Sequence, residues 1–433
     1  MLWSYSAPMF LSVLFQQMYN LADSVIAGKF AGQAALAAVG ASNPITMIFV
    51  AVGSGCNIGC AVVISRLFGT KEYGKMKTAV STTVRTAIFL AVLLTGIGVL
   101  FNDPLMRLIR TPDDIFSQAA LYLRIYIFGF PFLFLYNIAT GIFTALGDSR
   151  TPLYFLIGSS VGNILLDYVF VAKFSWDVAG VAWATFLAQG VACILALAVL
   201  SRRLKGVRSE EEHRKFSFET LKLTAEVAVP SILQQSFISI GNMFVQALIN
   251  GYGSPVIAGS SAALKVNAIA IAALATLSNG LSGFTAQNFG AGEHKRIREG
   301  FFCGLAMAAG LGAVLSVGFV LGADPMIRLF MEDSADTDTA LSVGVEFLRI
   351  VSPCYAVLSC KLISDGVLRG LGCMKDFMFS TFTDLLLRTV LCYLFFRPAS
   401  PRALWFSWPI GWTISTVISL LLLKKRFRER PIG

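Results

Sequence analysis

From end to end, the chain is divided into apolar runs of about twenty residues, set apart by short charged loops. No other feature limits its possible folds as tightly. A run of that length crosses the hydrocarbon core as a helix, because lipid offers the backbone no hydrogen-bond partners. The runs fall near residues 4–28, 41–65, 79–101, 121–144, 152–171, 179–200, 223–250, 257–286, 300–322, 341–368, 376–396 and 403–423. Of the 433 residues, 56% are hydrophobic and 14% are charged. Soluble domains carry about 25% charged residues. A water-facing surface cannot be assembled from so few, so lipid must cover much of this chain. The reading is an all-α integral membrane protein of twelve transmembrane helices.

A net charge of +10 raises the question of nucleic acid as a partner. The placement of the charge answers it. Lys and Arg lie in loops between apolar runs, not in a stripe suited to a groove. With the N-terminus inside, the loops 66–78, 145–151, 201–222, 287–299 and 369–375 and the tail KKRFRER are cytoplasmic. They hold about three times as many Lys and Arg as the opposite loops, which places both termini in the cytoplasm. The partner is the bilayer. The first apolar run lacks a basic leader and a small-residue cleavage site, so it reads as a span rather than a signal peptide.

Enzyme chemistry finds little support. Eight cysteines lie in or near apolar stretches without a CxxC pair, and both histidines, His213 and His294, lie in charged loops. The spans therefore offer no zinc cluster and no Ser/His/Asp arrangement, and no cofactor is expected.

The two halves repeat. SRLFG at 65–69 matches AQNFG at 286–290, and YLRI at 122–125 matches FLRI at 347–350. GIFTALG at 141–147 matches GVLRGLG at 366–372, and NILLDYVF at 163–170 matches RTVLCYLF at 388–395. Pro8, Gln16 and Gln17 match Pro230, Gln234 and Gln235. Six spans per half is an even number, so both halves enter from the same side and form parallel repeats. The expected organisation is an N-terminal six-helix lobe over 1–200, a linker over 201–222, a C-terminal lobe over 223–423 and a basic tail over 424–433.

The segment FQQMYNLADSVIAGKFAGQAALAAVGAS (15–42) resembles the first span of the multidrug and toxic compound extrusion (MATE) family. GIFTALGDSRTP (141–152), NILLDYVF (163–170), AQNFGAG (286–292) and GVLRGLG (366–372) resemble that family in order and in both halves. Each motif is short, and it is their joint order and spacing that is specific. The resemblance implies two six-helix bundles arranged as a V in a bacterial cytoplasmic membrane. It also implies export of organic, often cationic, compounds coupled to a cation.

A charge within a span costs about 2.5–3.5 kcal/mol or more, so it needs a partner or a function. Asn163 and Asp167 are four apart and share one helix face. Asp167 is about 15 residues into a helix that starts inside, or roughly 22 Å deep. Asp23, near the outer end of the first span, and Thr185, about two turns into the sixth, fall at a similar depth. Two carboxylates, an amide oxygen and a hydroxyl suit Na⁺ as a hard-oxygen set, and two close carboxylates suit a shared proton. In the resembled family, positions matching Asp23, Asn163, Asp167 and Thr185 form the cation site of the N-terminal lobe. Gln16, Asn20 and Asp23 make one polar stripe on the first span, facing a substrate cleft or a helix partner.

The second half departs from this pattern. Arg388 stands where the first half has Asn163, and Cys392 where it has Asp167. Asp384 and Arg388, like Lys361 and Asp365, are spaced as i, i+4 ion pairs. Some bacterial members of the family carry Lys-x-Asp in the eighth span. This chain has Lys265-Val-Asn267, which removes the acid. Pro44, Pro131 and Pro353 lie inside spans, where proline kinks a helix.

The reading is a secondary multidrug efflux antiporter, a single chain exporting organic cations in exchange for Na⁺ or H⁺. A flippase for lipids or lipid-linked saccharides is the alternative. It calls for a cleft rich in Arg and Lys, whereas the cleft-side charges of the first half are acidic.

Overall fold

A computed structural model of the chain describes Pro8, Leu11, Ser12, Phe15, Gln16 and residues 33–109, 111–207, 213–330, 337–396 and 401–429. Among these residues, eleven helices are long and apolar enough to cross a membrane. They are α1 (Gln33–Gly69), α2 (Tyr73–Leu100), α3 (Asp113–Ala145), α4 (Arg150–Asp167), α5 (Asp177–Gly206), α6 (Phe218–Asn250), α7 (Ser254–Gly290), α8 (His294–Leu321), the pair α9 (Thr337–Val351) and α10 (Tyr355–Gly370), α11 (Met374–Phe395) and α12 (Ser407–Glu429). Each covers one of the expected apolar runs. The twelfth, 4–28, lies almost wholly outside the described residues, and its five described positions are helical.

The chain clusters into two compact units, residues 3–235 and 236–433, with the boundary inside α6. The first unit is centred on α1, α3 and α5. Phe49, Phe130 and Phe134 stack through its core with ring centroids 4.8 and 5.3 Å apart. The second is centred on α7, α9, α10 and α12, where Trp405 and Trp408 meet Phe347 at 5.1 and 5.5 Å.

The repeat read from the sequence recurs in atomic detail within each unit. Asn57 Nδ2 on α1 donates to the Asn137 carbonyl of α3 at 2.9 Å, and Ser278 Oγ on α7 donates to the Leu362 carbonyl of α10. Beside these bonds both seams close on a glycine. A Cβ on Gly141 would lie 2.8 Å from Asn57 Oδ1, and one on Gly366 would lie 2.5 Å from the Ser278 carbonyl oxygen. The turn that follows is also shared. Gly147 and Gly372 adopt φ of +81° and +74°, and the next amides, Asp148 and Cys373, reach back to the Phe143 and Leu368 carbonyls at 2.9 and 2.8 Å. A left-handed residue closing a helix in this way is glycine's role, because it has no Cβ to clash.

The expected proline kinks differ between the halves. Pro131 sits within the unbroken α3, whereas Pro353 falls in a 3-10 turn, Ser352–Cys354, that separates α9 from α10. At that break the Ser352 carbonyl accepts from Ser316 Oγ at 2.6 Å. A side chain thus supplies what the interrupted ladder does not.

One close approach was not anticipated. Gly55 and Gly59 lie on one face of α1 and face Ile232 and Ala228 of α6, both within the first unit. A Cβ on Gly59 would sit 2.5 Å from the Ala228 Cβ and 2.7 Å from its Cα. Small residues four apart let membrane helices approach to backbone contact. Gly59→Leu is therefore expected to force the helices apart, at a cost of about 1–3 kcal/mol or more. The check is the melting temperature of the purified protein. Gly96→Leu serves as the control, since a Cβ on Gly96 meets nothing within 4 Å.

Candidate cation site

The site in the first unit is built on α4 and α5. Asn163 and Asp167 lie one turn apart on α4 and are 2% and 0% exposed. Directly after Asp167 the helix widens into a π-helical segment, Tyr168–Lys173. Such bulges offset the backbone ladder and frequently mark functional sites. From α5, Thr185 Oγ1 lies 3.5 Å from Asn163 Nδ2 and donates its own proton to the Val181 carbonyl at 3.1 Å. The amide's NH₂ is thereby turned toward α5. Its oxygen, Asn163 Oδ1, is buried and accepts no hydrogen bond among the described residues.

The structure thus brings Asn163, Asp167 and Thr185 to the α4–α5 contact. Asp23 and Asn20 lie outside the described residues, and Gln16 is helical and exposed. The donors that are described are all hard oxygens, and one belongs to a fully buried carboxylate. A buried amide oxygen with no protein partner is what a bound cation would satisfy. The set therefore fits Na⁺, and the same carboxylate fits a proton. Gln189, one turn beyond Thr185 on the same face of α5, was missed. Its buried Oε1 also accepts no bond among the described residues. The i, i+4 spacing of Thr185 and Gln189 was the available signal.

The second unit buries a different set. Lys361 Nζ donates to Asp365 Oδ2 at 2.8 Å and lies 3.8 Å from Asp384 Oδ2 on α11. Ser419 Oγ of α12 donates to Asp365 Oδ1 at 2.7 Å. The expected pairing of Asp384 with Arg388 is corrected: no ion pair joins them among the described residues, and Asp384 takes its cation from α10. The Arg388 guanidinium carbon lies 5.6 Å from the centroid of the Trp408 ring, and the side chain donates to Asn242 Oδ1 at 3.4 Å. A cation over an indole face is attracted by the ring quadrupole, which competes with the helical neighbour for it. Lys265 is exposed on α7, with its ammonium 5.7 Å from the centroid of the Phe330 ring. Asn267 accepts from the Tyr355 hydroxyl at 2.9 Å, so the residue standing in place of the acid holds α7 to α10.

Comparison with known proteins gives a consistent result. The family model described as MatE matches residues 8–169 and 230–394, one stretch in each half. The chain is 28% identical over 373 residues to the probable multidrug resistance protein YoeA of Bacillus subtilis, covering 84% of this chain and 80% of that one. It is 26% identical over 371 residues to the probable multidrug resistance protein YpnP of the same organism, covering 86% and 82%. A solved MOP superfamily transporter from Pyrococcus furiosus, whose binding pocket is described as having reverse polarity, superposes with a TM-score of 0.92. That match covers 99% of this chain and 95% of the other at 21% identity, a likeness of fold.

Proposed function

The chain belongs to the MatE family, and from that premise we propose that it is a secondary antiporter, expelling organic cations in exchange for Na⁺ or H⁺. It is a multi-pass membrane transporter and not an enzyme. The observation that carries the coupling proposal is the oxygen set of the buried Asn163 and Asp167 with the half-buried Thr185. Asp23 completes it at the depth given by its place in the first span. An external cation bound there favours the conformation that releases substrate outward, and the cation's departure inward resets the cycle. The two halves act as the moving lobes, the first six-helix half carrying with it the start of α6 up to residue 235. Gln16 and Asn20 line the substrate path. The protein lies in the bacterial cytoplasmic membrane with both termini inside, as its basic inner loops and basic tail support. It works as a single chain, since one chain supplies both halves. The flippase alternative fares worse, because among the described residues the fully buried charge of the first unit is a carboxylate rather than a base.

The test is dye retention in energised bacteria. Cells producing the protein are expected to retain less of a lipophilic cationic dye, and an ionophore that collapses the ion gradients is expected to restore retention. Equal retention with and without the protein contradicts the proposal.

A further inference from the structure

α2 carries five hydroxyls in close succession: Thr78, Ser81, Thr82, Thr83 and Thr86. The first three hold the linker that leads into α6. The amides of Arg214 and Ser217 donate to Thr78 Oγ1 and Thr82 Oγ1, each at 3.0 Å, and Ser81 Oγ donates to the Lys215 carbonyl at 2.7 Å. The last two differ. Thr83 is 7% exposed, and the Oγ1 atoms of Thr83 and Thr86 are buried with no hydrogen-bond partner among the described residues. A helical threonine can satisfy itself on the carbonyl four residues back, as Thr78 and Thr224 do at 3.0 and 2.9 Å. Thr83 and Thr86 do not, so two buried hydroxyls are left to something else.

Both line a cavity of about 120 Å³ bounded by α1, α2, α3 and the first turns of α6, all within the first unit. Gly55 and Gly59 draw α6 against α1. On the side toward α2 the facing residues are short, with Ala87 on one helix and Ala225 on the other, and a gap remains. Phe134, Ile138 and Leu221 make most of its wall apolar. Val229 lines it and is 51% exposed, which leaves a way in. Among the described residues, no carboxylate or base lines it, and neither α4 nor α5 contributes, so it is separate from the candidate cation site.

These features define the ligand. A cavity of about 150 Å³ lined by apolar side chains holds one benzene molecule, which sets the size. Walls without charge call for an uncharged molecule. A lipid tail would fill the space but leave both threonine hydroxyls unpaired, whereas a hydroxyl on the ligand can accept from one and donate to the other. We propose that this cavity is a binding site for a small, uncharged, mostly apolar molecule carrying one hydroxyl, held by Thr83 and Thr86. A molecule seated there touches α2 and α6 together, directly beside the hydrogen bonds that fasten the linker.

The probe is para-fluorobenzyl alcohol, with para-fluorotoluene as its counterpart lacking the hydroxyl. Saturable binding to the protein in phosphatidylcholine nanodiscs is followed by fluorine NMR, and the two are compared at equal concentration in the bilayer. The alcohol is expected to bind about tenfold tighter. Thr83→Val keeps the shape of the side chain and is expected to erase most of that preference. Ala225→Leu fills the gap and is expected to abolish binding of both probes, with a melting temperature at or above that of the parent. Absence of saturable binding of the alcohol to the unaltered protein overturns the proposal. Equal binding of the two probes also overturns it and assigns the cavity to lipid tails. So does binding of the alcohol that both Thr83→Val and Ala225→Leu leave unchanged.

Discussion

Replacing Asp167 with asparagine is expected to abolish gradient-driven export while leaving substrate exchange intact. The two side chains have nearly the same shape, so packing at a site with 0% exposure is preserved. What disappears is the negative charge. A neutral amide holds Na⁺ far more weakly than a carboxylate, and it cannot take up and release a proton near neutral pH. Without a bound cation, an imposed gradient has nothing in the first unit through which to bias one conformation over the other. Substrate binding and the conformational change use other contacts. Counterflow of labelled dye against unlabelled dye should therefore persist in Asp167→Asn, while accumulation against a gradient falls to background. Loss of both activities with unchanged folding would instead assign Asp167 to the substrate.

The second large effect concerns stability. Lys361→Met keeps the length of the side chain and removes its charge, which leaves Asp365 and Asp384 buried around an apolar tip. Breaking a buried ion pair from one side costs about 3–5 kcal/mol. That is a large share of the roughly 5–15 kcal/mol by which a folded protein is stable. The variant is expected to accumulate poorly and to melt well below the parent in detergent. Removing one charge of each sign, in Lys361→Met with Asp365→Leu, should recover much of the loss, because replacing a buried pair by apolar residues is often neutral. A single variant as stable as the parent would show that the cluster is hydrated.

Much of this architecture could be read directly from residues. Apolar runs fixed the spans, because lipid permits few backbone conformations. The repeat was visible in short motifs, and Asn57–Asn137 with Ser278–Leu362 shows the packing those motifs encode. The contact of Asn163 with Thr185 followed from depth alone. Partner choice across helices was less legible. The i, i+4 rule pairs Asp384 with Arg388, but it counts neighbours on one helix only, and here Lys361 of α10 and Trp408 of α12 compete for them. Gly55 and Gly59 carried the small-residue signal of close packing, yet their partner segment is more than 160 residues away in the chain. The π turn after Asp167 carried no sequence signature. Pro131 and Pro353 occupy matching places in the two halves, yet α3 runs on through its proline while a 3-10 turn interrupts the helix at Pro353.

The central claim is that a cation gradient drives export through the first unit's buried carboxylate. The most direct measurement is flux of a cationic dye in proteoliposomes, with Na⁺ and pH gradients imposed separately. At least one gradient is expected to drive dye against its own concentration in the unaltered protein, and neither should do so in Asp167→Asn. Gradient-driven flux that persists undiminished in Asp167→Asn would contradict the account.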